Sequence, residues 1–184
     1  MKFVIALTAL LASAAATAKP IAYADSYTLV LEYGGGQMEE AQLFYAPRHF
    51  YSAGLGYLSL EGDGTEGTRS IGYARLNYLA KRWNLAGAQA NVFLWGGLGN
   101  AHLEGRQNDL FSWNAGGQLD YETRRIYAAL RTDLHSTSAF TDRMDSLQLG
   151  WAPYEHDYDK LATWLVVQVR NYDGRQSRDT EFAL

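Results

Sequence analysis

The chain has 184 residues, a formal net charge of −4 and no cysteine. This length suits a single domain, the absence of a basic tract argues against nucleic acid as a partner, and disulfides are excluded as a source of stability. Aromatic residues make up 14% of the chain, and 18 glycines stand against 3 prolines. Such a composition favours strands and tight turns over helices.

The first 18 residues have the pattern of a secretory signal peptide, with a basic start, an apolar run over residues 3–11 and small residues after it. The run is too short for a transmembrane helix, which needs ~20 residues. Two cleavage sites fit the small-residue rule, one after Ala18 and one after Ala24. The mature chain is therefore expected to begin at Lys19 or Asp25 and to be exported.

The rest of the chain alternates between apolar and polar residues with a period of two, which is the signature of strands. Gly-rich, Pro-containing or charged segments separate the alternating stretches. About nine full strands and a terminal stub are predicted. They cover residues 27–33, 40–45, 51–57, 72–78, 88–98, 110–122, 126–135, 146–151, 161–170 and 181–184.

The stretch 110–122 shows the pattern most clearly. Its odd positions are apolar, with Phe111 and Trp113 near one end and Tyr121 near the other, while its even positions are polar and end in Asp120 and Glu122. Aromatic rings at both ends of an apolar band suit a strand that crosses a bilayer. The apolar parity is uncharged over about eight predicted strands and contains many Ala and Gly residues, which would underfill a soluble core. A lipid-facing surface is predicted.

The connections between strands alternate in length. Residues 47–48 and 123–125 make short turns, and the longer polar loops lie on the other side of the sheet. Connections 81–87 and 153–160 fall on the short-turn side and are longer than this pattern requires. Short turns on one side and long loops on the other are typical of outer-membrane barrels. The predicted long loops are residues 61–69, 100–109, 136–143 and 173–180.

With these features, the mature chain resembles a small Gram-negative outer-membrane β-barrel protein. The resemblance covers architecture and implies an all-β, antiparallel, up-and-down transmembrane barrel over residues 25–184. It also implies contact with outer-membrane lipid, including lipopolysaccharide. Such proteins usually end in a strand that closes on an aromatic residue, and single-chain barrels have an even strand number. Because this chain stops at Leu184 within a hairpin, we expect a truncated form of a barrel with ten to twelve strands, or a barrel of eight or ten strands with irregular ends.

Under this interpretation the polar parity faces the barrel interior. Asp120 and Glu122 lie across a tight turn from Arg131, so that ion pairs between them are predicted. Buried charges persist when they are paired, and a barrel of this size has little free bore. A filled interior is therefore favoured over a selective pore. The interior charged set, structural or pore-lining, comprises Arg75, Asp120, Glu122, Arg131, Asp133, His135 and Arg170, with Glu32 and Glu40 on the same parity.

The interior also carries bulky residues on the same parity, namely Phe93, Trp95 and Trp164, which favour filling. The four histidines are scattered, and the one close spacing of histidine and carboxylates, Glu155-His156-Asp157, lies in a turn, so no metal site is predicted. The Gly-rich segment 61–67 lacks the spacing of a calcium loop, and no phosphate-binding glycine motif is present. No cofactor is expected.

Three functions follow from these observations. The first is an outer-membrane barrel with a structural, porin-like passive-transport or surface-binding role, without an enzymatic site. The second is a lipid-modifying barrel enzyme that uses His135, although Ser136 points to the opposite face of the strand. The third is a soluble periplasmic, lipocalin-like barrel whose apolar parity lines a cavity for an apolar ligand, because an inside-out assignment exchanges the two faces.

Overall fold

The structure is a computed structural model that describes residues 21, 24–34, 38–61, 67–154, 165–174 and 178–183. The predicted signal peptide, residues 1–18, lies outside the described residues. The described part contains ten strands. They are β1 (Ser26–Gly34), β2 (Met38–Arg48), β3 (Tyr51–Leu60), β4 (Arg69–Leu85), β5 (Ala88–Leu103), β6 (Leu110–Thr123), β7 (Ile126–Thr137), β8 (Thr141–Trp151), β9 (Leu165–Gly174) and β10 (Arg178–Ala183).

The strands form one sheet in chain order, and each strand pairs antiparallel with the next. The prediction of an all-β, antiparallel, up-and-down architecture is therefore confirmed. The sheet curls into a half-barrel. Within the described residues β1 pairs only with β2, and β10 pairs only with β9. The strands β1 and β10 are therefore the edges of the sheet.

Alternation of burial along the strands defines two faces. In β4, every second side chain from Arg69 to Leu79 is buried, and those between are half-buried or exposed. We call the concave, buried side the interior face and the convex, exposed side the outer face. The polar parity lies on the interior face, and the apolar parity lies on the outer face. A soluble β-sandwich has the opposite arrangement.

Three connections are turns of two residues, at positions 49–50, 86–87 and 124–125. The prediction of a long connection over residues 81–87 is wrong, because β4 continues through a bulge after Leu79 and pairs with β5 as far as Leu85. Gly87 then adopts a φ of 77°, which suits glycine in a tight turn. Arg82 remains in the strand, where its Nε donates to Oδ1 of Asn91 at 2.7 Å.

The predicted long loops are shorter than expected for the same reason, namely that polar residues at strand ends still pair through their backbones. Loop 61–69 loses Arg69 to β4, loop 100–109 loses four residues to β5, and loop 136–143 shrinks to residues 138–140. Much of loop 173–180 likewise belongs to β9 and β10. Most of connection 153–160 lies outside the described residues.

The buried apolar side chains form separate clusters at the two ends of the interior. The loop end, where β3 meets β4 and β7 meets β8, holds the larger cluster, which includes Leu58, Ile71 and Met144. The end with the two-residue turns, which we call the turn end, holds Phe93 and Trp95 in one cluster and Tyr127 in another. No helix in the described part of the chain is both long and apolar enough to cross a membrane.

Packing at Gly116 gives a first prediction. A Cβ there would lie 2.3 Å from the backbone oxygen of Thr132 and 2.5 Å from Nε1 of Trp95. Gly116→Ala is therefore expected to lower the free energy of unfolding by about 1–3 kcal/mol through overpacking. Gly72→Ala is the matched control, because a Cβ at Gly72 meets no atom within 4 Å. Urea unfolding followed by tryptophan fluorescence measures both, and equal stability of the two variants would contradict this packing.

Candidate functional site

The centre of the interior face is a network of ion pairs, which we call the interior charge cluster. Its members are Glu32, Glu40, Arg75, Arg131, Asp133 and Arg170, contributed by β1, β2, β4, β7 and β9. Three guanidinium groups thus face three carboxylates. The side chains are almost fully enclosed, with exposures from 0% for Glu40 to 15% for Glu32. Charges so deeply placed are stable when they are mutually neutralised.

Arg131 is the hub of the cluster. Its Nε lies 2.5 Å from Oδ2 of Asp133, its Nη1 lies 3.1 Å from Oε1 of Glu32, and its Nη2 lies 3.7 Å from Oε2 of Glu40. Two of these ion pairs cross the interior, to Glu32 on β1 and to Glu40 on β2, and so join strands that are far apart in the order of pairing. Curvature of the sheet is the reason, since it brings strands that are distant in pairing order face to face.

Asp133 receives contacts from three sides. Nη1 of Arg75 lies 3.5 Å from its Oδ1, Nε1 of Trp95 donates to the same oxygen at 2.8 Å, and Arg131 holds its Oδ2. Arg75 also donates to Oε1 of Gln42 at 2.6 Å. Charge-assisted hydrogen bonds of this kind are roughly twice as strong as neutral ones. Asp133 is therefore held by charge and by geometry at once.

Aromatic rings fill the space around the guanidinium groups. The guanidinium carbon of Arg75 lies 4.8 Å from the ring centre of Phe44 and 5.0 Å from that of Trp95, and Arg131 lies 5.5 Å from the same indole. Trp95 therefore lies beside both cations while it donates to Asp133. Such contacts stabilise a desolvated cation by about 2 kcal/mol or more. Side chains therefore fill the interior around Arg75 and Arg131.

Glu32 connects distant parts of the sheet. It lies on β1, whose paired neighbour in the sheet is β2, yet it accepts from Arg131 on β7 and from Nη2 of Arg170 on β9. Arg170 also lies 3.4 Å from the sulfur of Met38 on β2. The edge strand β1 is thus linked by side chains across the interior to β7 and to β9, the neighbour of the other edge strand.

Asp120 and Glu122 form a second polar group nearer the turn end. Nδ2 of Asn91 donates to Oδ1 of Asp120 at 2.6 Å, and Nε2 of Gln118 donates to its Oδ2 at 3.2 Å. Both acidic side chains are buried. Tyr127, on the neighbouring strand, accepts from Gln118 at 3.3 Å. This group extends the polar filling of the interior toward the turns.

A third polar group lies at the loop end, and two of its members, Arg69 and Asp142, fall in segments that the alternation predicts as loops. Nη1 of Arg69 lies 3.5 Å from Oδ1 of Asp142, its Nη2 donates to the hydroxyl of Tyr172 at 3.3 Å, and its guanidinium lies 5.2 Å from the ring centre of Phe140. The alternation of interior and outer residues along a strand could have indicated that Arg69 and Asp142 face the interior. Each shares the parity of the interior residues that follow it on its own strand.

His135 is buried on the interior face, but the structure does not join it to Ser136. Neither ring nitrogen of His135 has a hydrogen-bond partner among the described residues, and its ring lies 5.5 Å from that of Tyr73. The hydroxyl of Ser136 is 2.8 Å from that of Thr141 instead. Asp133, two residues before His135 on the same face, is occupied by arginines and Trp95.

The described residues hold no group of three or more His, Asp or Glu side chains that could bind a metal ion. His102 does meet a carboxylate, with Nδ1 lying 2.9 Å from Oδ1 of Asp109, but both side chains are more than half exposed. The triplet Glu155-His156-Asp157 and most of the Gly-rich loop 61–67 lie outside the described residues.

The outer face carries a continuous set of exposed apolar side chains, such as Leu55 at 67% and Leu76 at 64% exposure. Aromatic residues flank them toward both ends. At the turn end these are Tyr27, Tyr45, Tyr78, Tyr121 and Trp151, and at the loop end they are Tyr33, Tyr57, Phe111 and Trp113.

The expectation of a wholly uncharged outer face needs correction on four strands, because exposed charged residues of the outer-face parity lie on β2 (Glu39), β4 (Lys81), β8 (Arg143 and Asp145) and β9 (Asp173). Arg143 and Asp145 share the parity of Leu147 and Leu149, and their side chains are exposed and 2.9 Å apart. Arg143 is the third residue of β8 from its loop end, and Asp145 is the fifth of eleven and pairs with Thr132 of β7. The apolar band therefore ends earlier on this strand than on β6.

A scan against protein-family models, a search of the curated proteins and a search of the solved structures each found no match. The functional interpretation therefore depends on the geometry of the two faces.

The ion pairs of Asp133 generate a second prediction. Asp133→Asn removes a buried negative charge and leaves Arg75 and Arg131 short of a counter-ion, which is expected to cost roughly 3–5 kcal/mol of folding free energy. Asp145→Asn is the matched control, because it breaks an exposed ion pair on the adjacent strand and is expected to cost at most about 1 kcal/mol. Urea titration measures both. Losses of similar size would contradict the assigned role of the cluster.

Proposed function

We propose that the chain forms an outer-membrane β-barrel whose outer face contacts lipid and whose interior is closed by paired charges and aromatic rings. Its role is structural or surface-binding, and it acts without an open pore. The observation that carries the proposal is the exposure of the apolar parity together with the burial of the charged parity. Contiguous apolar surfaces of this extent mark contact with a membrane or a partner protein.

The dimensions of β6 support lipid as the contact. Phe111 and Tyr121 lie on the same face, ten residues apart. At ~3.4 Å per residue and a tilt of ~40° this separation spans about 26 Å across the membrane, close to the apolar band of ~25 Å in known barrels. Aromatic rings at the two ends then fall at the two membrane interfaces, where Trp and Tyr are enriched.

The sheet can close into a barrel only if its two edge strands are paired. In a bilayer an unpaired strand edge exposes backbone groups that lipid cannot satisfy, so a membrane sheet must close. We propose that closure takes place through β1, because Glu32 of β1 already accepts from Arg170 of β9 across the interior. The ten described strands would meet the even-number rule of single-chain barrels.

The connections support an orientation. Turns of two residues at 49–50, 86–87 and 124–125 share one end of the sheet, whereas loops 61–68 and 104–109 share the other. In outer-membrane barrels the short turns face the periplasm. The loop end, with its exposed Glu61, Glu104 and Asp109, would then face the cell exterior among lipopolysaccharide headgroups.

The two rival functions find less support. A lipocalin-like barrel needs an apolar interior for its ligand, whereas the interior face here carries the charge cluster. A lipid-modifying enzyme needs an activated hydroxyl within reach of lipid, whereas His135 lies inside and the hydroxyl of Ser136 bonds with that of Thr141. Neither rival gains a specific observation in its favour.

Cell fractionation with a gel-shift assay tests the proposal. The mature protein is expected in the outer-membrane fraction, and its band is expected to shift on boiling, because a closed barrel resists detergent until it is heated. Planar-bilayer recordings of the same material are expected to show no steady conductance. A soluble periplasmic protein without a heat shift would contradict the membrane assignment, and a stable conductance would contradict the closed interior.

Substitution on the outer face gives a sharper prediction. Leu76→Arg places a charge in the middle of the proposed lipid-facing band and is expected to cost about 2–4 kcal/mol of stability in lipid vesicles. Leu85→Arg is the matched control on the same strand. Leu85 is also exposed but lies beside the two-residue turn, where the cost falls to about 0–1 kcal/mol. Equal costs would indicate that Leu76 faces water.

A further inference from the structure

Ile21 precedes the first strand, yet it is among the most deeply buried residues, with an exposure of 1%. Its side chain belongs to the cluster formed by Ala46, Leu79, Phe93 and Trp95 at the turn end of the interior. Ile21 also lies between the two candidate signal-cleavage sites, after Ala18 and after Ala24. Its position in the fold therefore bears on where the mature chain begins.

The chain is redirected between Ile21 and β1 at Asp25. Asp25 has a φ of 55°, in the left-handed region that few residues other than glycine adopt, although Asp tolerates it better than most. Its backbone N–H donates to the oxygen of Ala46 at 2.7 Å, and its Oδ1 accepts from the hydroxyl of Tyr45 at 2.7 Å. Both contacts hold this turn against β2. Asp25 and Ala24 are exposed at the turn, whereas Ile21 is inside.

Ile21 lies next to the aromatic residues that support the interior charge cluster. Leu79 and Phe93 face each other across β4 and β5, and Trp95 is the next interior residue along β5. Trp95 in turn donates to Asp133 and lies beside the guanidinium group of Arg75. An apolar side chain at this point excludes water from the turn-end side of Trp95, and exclusion of water strengthens the ion pairs beyond it.

We infer that the signal peptide is cleaved after Ala18, so that Ile21 is retained and its side chain seals the turn end of the interior beneath Trp95. Cleavage after Ala24 would remove the residue that fills this cluster and would leave Asp25, whose turn directs the chain inward, as the first residue. The inferred cleavage site rests on the export proposed above. The inferred seal rests on the packing of Ile21 in the interior.

Intact-mass measurement of the protein purified from outer membranes tests the cleavage site directly. The expected mass corresponds to a chain that begins at Lys19. A mass corresponding to a start at Asp25 would overturn the inference, and so would an uncleaved chain that begins at Met1. An uncleaved chain would also count against the proposed export, whereas a start at Asp25 would leave export intact.

Cysteine labelling tests the seal, since the natural chain has no cysteine. Ile21→Cys is expected to react with a membrane-impermeant maleimide roughly tenfold more slowly than Ala24→Cys in the folded protein, because local burial protects it. Both variants are expected to react equally after denaturation. Equal rates in the folded protein would overturn the seal, and absence of label on both variants after denaturation would overturn retention of the segment.

Discussion

The pairing of Glu32 with arginines from two distant strands is the interaction on which the rest of the structure depends. Glu32 stands on the first strand, and its partners Arg131 and Arg170 stand on the seventh and ninth. A buried carboxylate without counter-ions carries a desolvation penalty of several kcal/mol, so the sheet must curl until the guanidinium groups reach it. The curvature places the charged side chains on the interior face and leaves the apolar side chains exposed on the outer face.

Packing within the interior follows from the same constraint. Arginines need apolar and aromatic neighbours as well as carboxylates, and Trp95 serves two of them while it donates to Asp133. Small residues then become necessary where bulky ones crowd the space, as at Gly116 beside the indole of Trp95. The chain thus combines a polar interior with dense packing, which suits a closed barrel better than a channel.

The fold was largely predictable because a period of two is a strong signal over many strands. All ten strands were expected near their observed positions, and the exposed leucines of the outer face follow from parity. Strand ends were missed where polar residues continue to pair, as at Arg82 and at Asp142. The pairing of Arg131 with Glu32 and Glu40 could not be predicted, because it depends on how far the sheet curls. The burial of Ile21 could not be predicted either, since no periodicity extends to a residue before the first strand.

The central claim is that the apolar parity faces lipid and the charged parity faces the interior. Single spin labels placed at each position from 111 to 121 of β6, in the otherwise cysteine-free chain, test this claim most directly in lipid vesicles. Labels at odd positions are expected to be accessible to oxygen, which dissolves in the bilayer. Labels at even positions are expected to be accessible neither to oxygen nor to a water-soluble nickel complex. Access of the nickel complex to the odd positions in the middle of the strand would contradict the account.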